Sequence, residues 1–151
     1  MLFHRKILAF TDRILRREYN SLSATVERPT RENTDAFFAE LLTITRQTGD
    51  ITHAFCDADQ HPVGYIQLHR QGGEITIHRI WTVYPKRGFG SKMLRKVCEL
   101  ADRHKVFIRL KVAPLGPQPH PMSSEQLQQW YHRHGFRGQR KMLRVPSPLQ
   151  G

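Results

Sequence analysis

The sequence predicts an α+β fold: a mixed, mostly antiparallel, twisted sheet flanked by helices, with an extra amphipathic helix at the N-terminus. Three observations predict it. Between Ile51 and Pro85, β-rich runs are separated by turn chemistry at Asp57–Pro62 and Gln71–Gly73, which is the pattern of an antiparallel meander. Before and after the meander the apolar residues recur at helical spacing, in Phe37, Phe38 and Leu41 and again in Met93, Leu94, Val97, Cys98 and Ala101. The stretch "KVFIRLKV" then alternates, with Val106, Ile108, Leu110 and Val112 on one face of a strand.

The elements follow in order. Residues 4–19 place Ile7, Leu8, Ile14 and Leu15 on one stripe with five cations elsewhere, an amphipathic helix docked on a surface. A short strand over "LSATVE" precedes Pro29 and the polar run "PTRENTD". Asn33 or Thr34 then caps a helix whose apolar face is Phe37, Phe38, Leu41, Leu42 and Ile44. After the meander and a glycine turn come the second stripe and the alternating strand. "APLGPQPHPM" holds four prolines and is neither helix nor central strand; it is read as a spacer, with a wall of an acceptor pocket as the alternative. Ser123 and Gln126 form a capping box for a last helix with Leu127, Trp130, Tyr131 and His134 on its inner face. Gly135 stops it, and "FRGQRKMLRVP" closes the chain as a hairpinned strand region.

A length of 151 residues fits one domain, read as 21–151 with the N-terminal helix 1–20 packed on it; self-association through that helix, or its lying on a membrane surface, are the alternatives. No run approaches the ~20 apolar residues of a membrane span. Cys56 and Cys98 form no paired motif, so reduced thiols and a cytoplasmic location are expected. The Arg-rich start resembles a transit peptide, but Asp12 and Glu18 count against that reading. Charge is uneven: residues 51–151 carry 16 Lys/Arg against 6 Asp/Glu, so +10 of the net +11 lies there. Such a field concentrates anions, whether a phosphorylated cofactor, a nucleic acid or an acidic protein face. His132 and His134 diverge on their helix and no cysteines pair, so no metal site is expected.

"YPKRGFGSKML" carries the most chemistry. Two glycines at alternate positions let backbone approach a ligand, and the helix behind them offers unpaired N–H groups and its positive dipole end. Lys86, Arg87, Ser91 and Lys92 surround the turn, and phosphate is the natural guest. The spacing is wrong for a Walker A loop, and the dinucleotide fingerprint lacks its third glycine and its βαβ unit.

Strand, R-G-F-G-S turn, helix, strand and then "LQQWYHRHGF" together resemble the GNAT superfamily of acyl-CoA-dependent N-acyltransferases, with "HPVGYIQL" similar to its third strand. The resemblance covers residues 22–145 and is greatest to short members from phages and bacteria. One departure is Pro85, where the family usually has Gln or Arg. The resemblance implies acetyl-CoA as donor, with Arg87, Gly88, Phe89, Gly90 and Ser91 on its pyrophosphate and Ile80, Trp81, Thr82 and Val83 along its pantetheine and thioester. It implies Tyr131 as the proton donor to the departing thiolate and Glu74 as a base working through water, with His78 as the alternative base.

The acceptor implied is a primary amine on a protein, a small molecule, an aminoacyl-tRNA or a modified base. A non-catalytic adaptor for nucleic acid or protein is the second reading, with Arg137, Arg140, Lys141 and Arg144 as its contact patch.

Overall fold

The computed structural model describes residues 29–112 and 122–147. The N-terminal helix, the "LSATVE" strand and the proline loop 114–121 lie outside the described residues. Helix α1 (Arg31–Ile44) leads into strands β1 (Arg46–Gln47), β2 (Thr52–Cys56), β3 (Pro62–Gln71) and β4 (Glu74–Thr82). Helix α2 (Phe89–His104), β5 (Phe107–Lys111), α3 (Ser124–Arg133), β6 (Arg137–Gly138) and β7 (Lys141–Arg144) complete the order. Among the described residues no helix is long and apolar enough to cross a membrane.

The strands form one seven-stranded sheet in the order β1-β2-β3-β4-β5-β7-β6. The meander and the closing hairpin are antiparallel, and β4 with β5 is the parallel pair, as the α2 crossover between them requires. The expected α+β sheet is therefore present.

Two irregularities shape the centre. Gln67 and Leu68 of β3 oppose Arg79 and Ile77 of β4, which leaves His78 as an extra, bulged residue. The bulge shifts the inward alternation of β4, so that Ile75 and Ile77 are followed by Ile80 rather than by residue 79. In addition, β4 pairs with β5 only from Glu74↔Phe107 to Ile77↔Leu110, while β4 runs on to Thr82. The sheet opens there as a fork.

One face of the sheet carries the main core, in which Ile66, Ile75 and Ile108 are fully buried against Phe37 and Leu41 of α1 and Leu94 of α2. The other face carries Phe107 and Leu143 as a smaller buried cluster. Gly64 lets α2 sit down on β3: a Cβ there would lie 2.3 Å from the Met93 Sδ. The helix caps follow the sequence except at α1, which begins a turn earlier than expected. Thr30 is its N-cap and Asn33 closes a capping box at the N3 position, its amide donating to Thr30 Oγ1 while the Thr30 amide donates to Asn33 Oδ1 at 2.8 Å. Thr34, the other cap candidate, is buried and donates instead to the Gly72 carbonyl at 3.0 Å. The apolar face of α1 is narrower than expected, since Leu42 and Ile44 are 47% and 41% exposed. Ser123 and Gln126 do form the expected box at α3.

Arg144 is not the surface cation that the adaptor reading needs. It points from β7 onto α2, where its two terminal nitrogens donate to Asp102 at 2.8 and 2.9 Å and its Nε donates to the His134 carbonyl at 2.8 Å. Both side chains are nearly fully buried. Register decides this, because Arg144 opposes Ile108 and so shares the helix-facing side of the sheet. The pair differs in kind from Lys96–Glu99, whose half-exposed partners contribute about 0–1 kcal/mol.

Removing one partner of the buried pair leaves an uncompensated charge, so Arg144→Met is expected to cost about 3–5 kcal/mol in chemical denaturation. Asp102→Leu added to it should recover part of that loss. A single variant as stable as the parent would contradict the packing described. Alkaline pH offers a second check. Burial pushes the Cys98 thiol from 9.0 up to about 11, Arg144 nearby opposing this and Asp102 and Glu99 adding to it. Between those values the unfolded chain releases a proton that the folded chain retains, so stability is full below pH 9 and falls as pH rises toward 11. The expected loss is about 3 kcal/mol, and Cys98→Ala should abolish this component.

Candidate active site

The free limb of β4, the turn after it, the first turn of α2 and the inner side of α3 enclose a cleft of about 540 Å³. The local sequence explains each wall. Gly88 takes φ +75°, a left-handed conformation that a side chain would strain, and so ends the turn and starts α2 at Phe89. It offers no side-chain cap, and the first turn of α2 contains no acidic residue. The ladder of α2 starts with the Lys92 amide donating to the Gly88 carbonyl at 3.2 Å, so the amides of the cleft-lining residues Phe89, Gly90 and Ser91 have no partner within the helix. Gly90 is a cradle position: a Cβ there would stand 3.6 Å from Thr82 Cγ2 and 3.7 Å from Trp130 Cζ2.

The charged residues of the turn lean on its aromatics. Arg87 lies over the Tyr84 ring at 5.4 Å and Lys92 over Phe89 at 5.8 Å. These contacts keep two cations beside the bared amides without pairing them to carboxylates.

Tyr131 enters the cleft from α3. It is 8% exposed, packs edge-on against Phe136 with centroids 5.5 Å apart, and among the described residues its hydroxyl has no hydrogen-bond partner. Burial raises its pKa to about 12, so the phenol holds its proton throughout the physiological range. Its neighbour Trp130 is a site residue that sequence reasoning placed only in the helix core. The indole Nε1 donates to Ser91 Oγ at 2.9 Å, tying α3 to the first turn of α2. The signal for it in the sequence was slight: a half-buried indole needs a hydrogen-bond acceptor, and a serine stood in the glycine turn.

Eight of the nine expected cofactor residues line this cleft together with Tyr131. Val83 does not; its amide donates to the Val63 carbonyl at 2.9 Å and its side chain is 44% exposed. Glu74 is not brought to the cleft either. It sits at the closed end of the fork, where Arg109 donates to its two carboxylate oxygens at 2.6 and 3.3 Å. His78 is the exposed bulge residue at the start of the fork. One described group could gather ligand atoms, Asp57, Asp59 and His61 at the β2–β3 turn; all three are exposed and outside the cleft lining. Asp57 Oδ1 there already accepts from the amides of Asp59 and His61 at 2.9 Å.

A turn of bared amides flanked by cations suits a diphosphate, a β-limb that β5 has left suits an extended chain, and a protonated phenol suits a departing anion. The residues therefore fit a phosphorylated thioester carrier.

The family model described as "Acetyltransferase (GNAT) family" matches residues 13–136. No curated protein sequence matches the chain. Among solved structures, the chain is similar to the anti-CRISPR protein AcrVA5, with 26% identity over 53% of this chain and 87% of that one and a TM-score of 0.43. It is similar to an acetyltransferase from Bacillus cereus, with 15% identity over 80% and 96% of the two chains and a TM-score of 0.47. The aminoglycoside 6'-N-acetyltransferase from Enterococcus faecium shares 18% identity over 73% of this chain and 82% of its own, with a TM-score of 0.46. The matched residues 13–136 run through the fork, the glycine turn and the tyrosine helix, and the chain belongs to the GNAT family of N-acetyltransferases, whose acetyl donor is acetyl-CoA.

Proposed function

We propose that the protein moves an acetyl group from acetyl-CoA to a primary amine by direct attack of the amine on the thioester. The observation that carries this reading is the joining, in one cleft, of a helix N-terminus with no side-chain cap and a buried tyrosine whose hydroxyl has no hydrogen-bond partner among the described residues. Acetyl-CoA, when bound, supplies the activated acyl carbon and a thiolate leaving group.

The chain's own residues do the rest. The amides of Phe89, Gly90 and Ser91, with the side chains of Arg87 and Ser91, receive the diphosphate. Ser91 Oγ accepts from Trp130, which leaves its own hydroxyl proton to donate. Main-chain groups of Ile80, Trp81 and Thr82 align the pantetheine along the limb of β4 that β5 has left. Tyr131 holds a proton at its Oη for the sulfur. Glu74, held by Arg109, stands three residues before the fork opens, about 10 Å along the strand, so it takes the amine proton along a chain of several waters rather than through one.

Calorimetry with acetyl-CoA tests the binding half of the reading. The parent chain should bind, and Gly90→Val should not, because its branches fill the cleft although a Cβ alone makes only ordinary contacts. Binding that is absent in the parent, or unaffected in the variant, would remove the cofactor assignment. For the chemical half, Tyr131→Phe and Glu74→Gln should each lower kcat about 10²–10⁴-fold with little change in acetyl-CoA affinity. A larger loss in His78→Ala than in Glu74→Gln would transfer the base role to His78. The acid is lost only as pH rises through about 12, so the rate should show no alkaline fall due to Tyr131 between pH 7 and about 10.

A further inference from the structure

Pairing register sorts the strands into two faces with opposite chemistry. The face away from α2 carries Tyr65 of β3, Arg79 and Trp81 of β4, Lys111 of β5 and Lys141 of β7, as the partners Tyr65↔Trp81, Gln67↔Arg79 and Lys111↔Lys141 require. The strands β2, β3, β4, β5 and β7 contain a single carboxylate, Glu74, and Arg109 already occupies it. Arg79 and Lys111 stand just past the last β4–β5 pair, one on each limb of the fork, and neither has a carboxylate partner among the described residues. Lys111 and Lys141 face each other directly across β5 and β7.

Beside these cations lies a flat aromatic pair. The Tyr65 and Trp81 rings stack with centroids 5.2 Å apart and planes 21° from parallel, and the Arg79 guanidinium covers Trp81 at 4.9 Å. Trp81 also lines the cleft, so this platform adjoins the place where the acetyl group would be presented. Cations that follow a backbone, with π faces beside them, are the composition of a surface for single-stranded nucleic acid. An acidic protein segment would use the cations and leave the stacked rings without a role.

Resting on the acetyl-transfer reading above, we propose that the amine acceptor is carried on a single strand of nucleic acid, its phosphates on Arg79 and Lys111 and a base on the Tyr65 ring of the stack, Trp81 being covered by Arg79.

The test is fluorescence anisotropy of the full chain with a labelled single-stranded oligonucleotide of roughly 12 residues, as RNA and as DNA, at several salt concentrations. Binding is expected, weakening linearly in log salt. Lys111→Ala should reduce the magnitude of that slope by about 0.7 while leaving acetyl-CoA binding by calorimetry unchanged. Lys111 is exposed at the end of its strand, so this variant should fold. Tyr65→Leu keeps apolar bulk but removes the π face and should weaken oligonucleotide binding about tenfold.

The inference is overturned by absent oligonucleotide binding with acetyl-CoA binding intact, by unchanged affinity in both variants, or by equal affinity for a poly-glutamate peptide of the same charge. If the parent chain fails to bind acetyl-CoA, the acetyl-transfer reading falls, and this inference with it.

Discussion

The arrangement depends on where β4 and β5 stop pairing. Up to Ile77↔Leu110 the two strands are an ordinary parallel pair, stabilised by evenly spaced hydrogen bonds and by Ile75, Ile77, Ile108 and Leu110 beneath. Beyond it β5 stays with β7, and β4 continues with β3 as its one paired strand among the described residues. A strand limb with one free edge inside a domain is ordinarily a liability, because its amide and carbonyl groups seek partners. Here the cleft lies against that edge, so an extended ligand can supply the missing neighbour. The bulge at His78 accompanies the divergence: it adds a residue to β4, increases local twist and turns Ile80 back into the core while Arg79 and Trp81 keep the other face.

The fork needs its walls held, and two contacts far apart in sequence hold them. Trp130 bonds Ser91, so the tyrosine helix and the glycine turn keep a set distance. On the far side of α2, Asp102 receives Arg144 from β7 and the Ser147 amide at 3.0 Å. Burial makes that pair expensive to form and more expensive to break, so its value lies in orientation more than in net stability. Glu40 of α1 adds a third tie to α2, bonding Arg103 and, at 2.8 Å, His104. Helix α2 is thereby fixed along its length, and its first turn can be left uncapped for a ligand.

The two faces of the sheet divide the work. Apolar residues on the helix side make the core and bury Tyr131, whose environment keeps its proton in place. The opposite face spends little on packing beyond Phe107 and Leu143 and gathers cations and aromatic rings around the fork. On the proposed reading, a site approached from both faces of the sheet would keep a phosphorylated donor and an amine acceptor from competing for the same anion-binding groups.

By itself the sequence determined what is local. Period and turn chemistry gave the meander, both stripes, the alternating strand and the Ser123–Gln126 box, since each depends on residues a few positions apart. The R-G-F-G-S turn was legible as an uncapped helix start, because glycine spacing and a following helix are enough to bare amides. The N-cap of α1, Thr30, lies one turn before the cap candidates Asn33 and Thr34, because asparagine at N3 can serve a capping box as glutamine does. Only the tertiary structure decided what depends on register and burial. It put Arg144 inside against Asp102, joined Trp130 to Ser91 and bound Glu74 to Arg109. It also gathered Arg79, Trp81 and Lys111 on one face. A side chain's face follows from the strand it pairs with, and a shift of one residue reverses it, so no periodicity within a single segment contains that information.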